Sequence, residues 1–242
     1  MDPSTAQDSL STTATTDTPT TPRLFWVGMA VFLTGIVVVG FWPTYFGPLV
    51  LGQEAPPDWG FVKAAWPIHL HAAVFTGWMA LLVAQTVLVA REKTQAHMQL
   101  GQYVATFGLT VILVGLIVTV AQIQAFVSSG NGWISASTRA WNSLVPILVQ
   151  FPLLLGLGYV YRMRPAAHKR YMLFATIALA RAAEARIATF VWSGEWIVEI
   201  LILAEAGPIW VYDLYVEGRI HLATVIGTAV VLLTYAIGML MG

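Results

Sequence analysis

Seven stretches of this chain are apolar for about as long as a helix needs to cross the hydrocarbon core of a bilayer, roughly 20 residues. They run over 25–46, 67–90, 99–127, 138–161, 169–193, 196–212 and 219–241. Hydrocarbon offers no water to backbone N–H and C=O groups, so each stretch must satisfy its own by coiling into a helix. The chain is therefore read as all-α, a polytopic membrane helix bundle of about seven transmembrane helices. Composition agrees, with 57% of the 242 residues hydrophobic and only 10% charged, far less charge than a soluble domain carries. The sixth stretch is the shortest and holds Glu199, Glu205 and Pro208. It is expected to be tilted, broken or shielded by protein, and without it the count drops to six.

Residues 1–22 are rich in Ser, Thr, Asp and Pro and contain no Lys or Arg. They cannot bury enough apolar surface to offset chain entropy, so a disordered tail is expected ahead of a transmembrane domain over 23–242. The basic start of a secretory signal is missing. Arg23, Arg91, Lys93, Arg162, Arg164, Lys169, Arg170 and Arg219 fall on one side of the expected helices, against Lys63 and Arg139 on the other. The excess of Lys and Arg predicts a cytoplasmic N-terminus and an outward C-terminus. The longer connections, with Pro56-Pro57 and Asn131-Gly132, then lie outside and could form a lid. The formal net charge is zero, which gives no field for nucleic acid. The absence of cysteine removes disulfides, thiolate nucleophiles and cysteine metal sites together.

The chain echoes itself at an offset of 71 residues, Arg91 matching Arg162 and His97 matching His168. Each unit reads as an apolar helix, an Arg, a short polar loop and an Ala-His that opens the next helix. Duplication accounts for this, as does the general likeness of basic interfacial loops.

Chemistry must come from polar groups inside the helices. Arg181, Glu184 and Arg186 lie 12 to 17 residues into the fifth stretch, too deep for easy snorkelling. Arg181 and Glu184 share a helix face at three-residue spacing. His69, His71, Arg139, Asn142, Glu195, Glu199 and Glu205 fall at similar outer or middle depths on three other helices, so one polar cavity opening outward is expected. An ionised group at the bilayer centre costs about 2.5–3.5 kcal/mol even on insertion scales, and several in one layer point to a water-filled or ligand-filled site. Each also has a structural reading: an Arg–Glu link between helices, an Asn on a backbone carbonyl, an Arg in interfacial water. The ligand cavity would use Arg139, Asn142, Arg181, Glu184, Arg186, Glu199 and Glu205.

His69 and His71 point about 200° apart on a regular helix, so both face one site only if the helix start after Pro67 is distorted. His71 is the inward candidate. With Glu184 and Glu199 these two would supply imidazole and carboxylate ligands suited to zinc, iron or copper. His97, His168 and His221 open or nearly open helices on the cytoplasmic side. They could bind a metal, pair across a haem, or sit among headgroups beside Lys169, Arg170 and Arg219.

The run from His71-Ala-Ala-Val-Phe-Thr-Gly77 to Leu88-Val-Ala-Arg91, followed by His97-Met-Gln-Leu-Gly101, resembles the second and third helices of the cytochrome b561 family. The resemblance covers about a quarter of the chain. It implies haem b held between paired histidines on a four-helix core that moves electrons across a membrane. By it, His71 would be the outer ligand, His97 the ligand on the third helix and His168 its partner on the fifth. The fourth stretch has no histidine to complete an outer haem, so one bis-histidine site remains. The His168-Lys-Arg170 start is also similar to bacterial multipass proteins, which points to a bacterial inner membrane.

Three classes of function follow. A haem b electron-transfer protein uses His71, His97 and His168. A metal-dependent membrane enzyme uses His69, His71, Glu184 and Glu199, with a metal-bound water as nucleophile. A transporter or ligand-binding protein uses Arg181 and Arg186 for an anion and Glu199 or Glu205 for protons. The redox class leads on the resemblance. The reaction partner, a small molecule or an electron carrier, is not legible.

Overall fold

The computed structural model describes residues 21–54, 66–128, 130, 140–192 and 197–240. Residues 1–20 of the expected tail, the Pro56-Pro57 and Asn131-Gly132 connections, Lys63, Arg139 and Glu195 lie outside them. The described residues form helices joined by turns, with no strand.

Helix α1 spans Thr21–Phe41 and continues through a π turn, Trp42–Phe46, into Gly47–Leu51. It outruns the expected 25–46 because Pro43, which has no N–H to donate, is absorbed by the wider π register instead of ending the helix. Helix α2 is Trp66–Ala90, α3 the short Thr94–Gly101 and α4 Val104–Ser128. The third apolar stretch is thus two helices, divided after Gly101, where Gln102 and Tyr103 fold back onto the carbonyls of Met98 and Leu100. Helix α5 covers Ala140–Val160 and carries a second π turn at Pro146–Gln150. Helix α6 is Pro165–Arg186 with a π extension over Ile187–Val191. Helix α7 runs Ile197–Val216, unbroken through Pro208, and α8 Leu222–Leu240.

Four of these meet the length and apolarity needed to cross a membrane: Arg23–Leu51, Trp66–Ala90, Val104–Ser128 and Ala140–Val160. Their outward faces are apolar, as on α4, where Leu109, Leu113 and Ile117 recur every fourth residue and are each about 60% exposed. An apolar stripe left uncovered by protein is what lipid solvates.

The charged helix α6 lies at the centre of the bundle. It packs against α1, α5, α7 and α8 and is covered on all sides from Tyr171 to Ala180, with further buried residues from Ala167 to Glu184. Its alanines, among them Ala175, Ala178, Ala180 and Ala183, let neighbouring backbones approach closely. Its polar residues therefore face protein. Gly40 of α1 lies so near α6 that a Cβ there would stand 2.4 Å from the Ala183 carbonyl oxygen, whereas one on Gly156 would meet nothing within 4 Å. Gly40→Ala is expected to cost about 1–3 kcal/mol through forced separation of α1 and α6. Thermal unfolding in detergent should show that loss, with Gly156→Ala unchanged as control.

Candidate functional site

The turns joining α2 to α3 and α5 to α6 differ in backbone path, but each places a basic residue immediately ahead of the next helix. In the first, Glu92 takes a left-handed conformation (φ 60°) and Lys93 precedes the helix. In the second, Arg164 precedes it. The His97 amide then donates to the Lys93 carbonyl and the His168 amide to that of Arg164, both at 3.0 Å, so the two histidines hold the same place in the first turns of α3 and α6.

The turns bring the two imidazoles together. Their ring centres are 6.3 Å apart, with the planes at 80°. His168 Nδ1 lies 2.8 Å from the Gly158 carbonyl oxygen. A carbonyl only accepts, so Nδ1 carries a hydrogen and Nε2 is the nitrogen that points away from this bond. His97 Nδ1 is 2.6 Å from the Gln85 side-chain amide in its favoured orientation, which also spans the His97 carbonyl and the Gly101 amide. Burial, and then the neighbouring His168, hold the half-buried His97 below the ordinary imidazole value, with Gln85 opposing. The neutral ring is thereby favoured, and while the Gln85 amide donates to Nδ1 its hydrogen sits on Nε2.

His221 does not join this pair. Its Nδ1 accepts from the Ala223 amide, and its backbone N–H donates to Asp213. It belongs to a buried ionic cluster centred on Arg170, which is fully enclosed and pairs with Asp213 and, at 2.8 Å, with Glu217. Thr224 donates to Asp213 Oδ2 at 2.6 Å, while Lys169 sits 4.4 Å above the Trp26 ring. Arg170 is thus an interior cation, where the sequence placed it among headgroups. The C-terminal end of α7 and the start of α8 fold over the first turn of α6.

A second polar region lies around the other end of α6. The π turn of α1 directs Thr44 and Tyr45 inward, Thr44 Oγ1 accepting from Arg186 Nε at 3.2 Å and the Tyr45 hydroxyl 3.1 Å from His69 Nδ1. His71 stacks on Phe75, ring centres 4.1 Å apart, and Arg186 is the charged group that faces it. Arg181 Nη1 donates to Glu184 Oε2 at 3.4 Å, and the Glu184 carboxyl faces that of Glu205 on α7. Glu199 lies half-buried near the start of α7, and Asn142 on α5 is exposed.

Among the described residues, no three His, Asp or Glu side chains gather into a group that could hold a metal ion. The set His69, His71, Glu184 and Glu199 is accordingly not assembled as a coordination sphere. The two histidines are drawn apart, one to Tyr45 and one to Phe75, and Glu184 is engaged by Arg181.

Sequence reasoning missed Thr44, Tyr45, Gln85 and Asp213. Gln85 and Asp213 were visible as single polar residues within apolar runs. Thr44 and Tyr45 required the π turn at Pro43. Comparison with family models, with curated proteins and with solved structures finds no match.

Proposed function

We propose that the protein is a haem b-binding electron carrier of a bacterial inner membrane, with His97 and His168 as the residues that would hold the haem. The observation that carries this reading is the geometry of the paired imidazoles. Two rings that bind one iron from opposite sides stand with centres roughly 6 Å apart, from two metal–nitrogen bonds of about 2 Å and about 1 Å from each nitrogen to its ring centre. The rings here are 6.3 Å apart. His168 Nδ1 donates to the Gly158 carbonyl, as a ligating histidine does, whereas binding through His97 Nε2 would require Nδ1 to carry the hydrogen and the Gln85 side-chain oxygen to accept it. Two imidazoles are too few protein ligands for an ion such as zinc but sufficient for haem, whose ring supplies the other four nitrogens. Haem, when bound, supplies a one-electron couple. Gly158 and Gln85 set ring orientation, and the Lys93 and Arg164 turns fix the separation of the two helix starts.

The seven long helices are read as crossing the membrane, with α6 and α7 carrying their charges inside the bundle and α3 lying at its cytoplasmic end. Arg23 pairs with Glu92 at 2.5 Å, which supports placing the start of α1 and the α2–α3 turn on the same side. The Arg170 cluster supports the same for the start of α6 and the α7–α8 turn. All the basic turns then share one end, the cytoplasmic one. Haem titrated into purified apo-protein should saturate at one per chain. A featureless titration, with the chain helical and monodisperse, would reject the reading.

A further inference from the structure

The bundle interior holds two carboxyl groups for which electron transfer at His97 and His168 has no use. Glu184 on α6 and Glu205 on α7 are both fully buried, and their carboxyls face each other. Arg181 donates to Glu184 Oε2. Glu184 Oε1 and both carboxyl oxygens of Glu205 meet no donor among the described residues.

An ionised carboxylate only accepts hydrogen bonds, so two of them face to face repel and leave their lone pairs unsatisfied. One proton between them turns one group into a donor and the contact into a short, charge-assisted hydrogen bond. Charge points the same way. The Arg181 guanidinium can offset one of the two negative charges, and a second ionised carboxylate without water is costly. Neither side chain has exposed surface, and Ala183 and Ile187, beside Glu184 on α6, pack into an apolar cluster with Ile36 and Ile197, so bulk solvent does not screen the repulsion.

We propose that Glu184 and Glu205 form a proton-binding site, a carboxylic acid–carboxylate pair that holds one exchangeable proton at the contact of α6 with α7. Because Arg181 already donates to Glu184, Glu184 is the acceptor and Glu205 carries the proton. The ligand is a proton, and the site stands whether or not the chain binds haem.

Infrared spectroscopy of the full-length protein in nanodiscs at neutral pH reads this directly. The expected result is a C=O stretch of a protonated carboxylic acid that moves on carboxyl-13C glutamate labelling and moves again in D2O. Glu205→Gln should abolish the band while preserving the fold, because the amide still donates to Glu184. Absence of the band from the wild-type spectrum overturns the proposal, as does a band that D2O never shifts. Its survival unchanged in a folded Glu205→Gln variant does so too. Should that variant fail to fold, Glu184→Gln and the wild-type labelling decide the assignment, because neither relies on Glu205→Gln.

Discussion

Replacing His168 by Ala is expected to abolish haem binding, and His97→Ala should do the same, while helicity and expression persist. Each imidazole sits at the start of a helix and packs at the edge of the bundle, so truncation removes a ligand without opening the core. His71→Ala is the discriminating control. His71 lies against Phe75 and Arg186 in the other polar region, and its loss should leave haem content unchanged. Gln85→Leu should have an intermediate effect, lowering haem affinity about 10–100-fold, because it frees the His97 ring to rotate without removing its nitrogen. Haem per chain, titrated into each of the four variants, separates these three outcomes.

Asp213→Ala is expected to produce the largest loss of stability. Arg170 is fully enclosed, and Asp213 accepts from it as well as from Thr224 and the His221 amide. Removing one partner of a buried ion pair costs about 3–5 kcal/mol, chiefly because the remaining charge stays buried without compensation. Glu217 also reaches Arg170, which keeps the loss within that range. The double substitution Arg170→Met with Asp213→Leu should recover much of it, since apolar groups of similar volume leave no buried charge. Thermal unfolding in one detergent gives the comparison. Equal stability of Asp213→Ala and the parent would mean that Arg170 is solvated.

Length and apolarity made the outer helices legible, because about 20 residues of hydrocarbon-compatible chain have few alternatives. Helix α6 was legible as a helix but not as the centre of the bundle. Its alanines and charges have no apolar stripe, and only the helices packed around it show that it is covered on all sides from Tyr171 to Ala180. Arg170 was misplaced for the same reason: one residue from Lys169 at a helix start, it has the local look of an interfacial cation. The 71-residue echo extends to Lys93 and Arg164, which each stand just ahead of a helix, although the two turns take different backbone paths. The single outward cavity was drawn from depth along each helix, and depth says nothing about rotation. Asn142 has a suitable depth but is exposed, whereas Glu205 turns inward to meet Glu184.

Two imidazoles on one iron have a distinct visible spectrum, read on purified protein as isolated and after haem reconstitution, oxidised and then reduced. The expected result is one b-type haem per chain, six-coordinate and low-spin in both states, with sharp α and β bands on reduction. A chain that binds no haem after reconstitution would contradict it, and so would stoichiometric haem that is five-coordinate and high-spin.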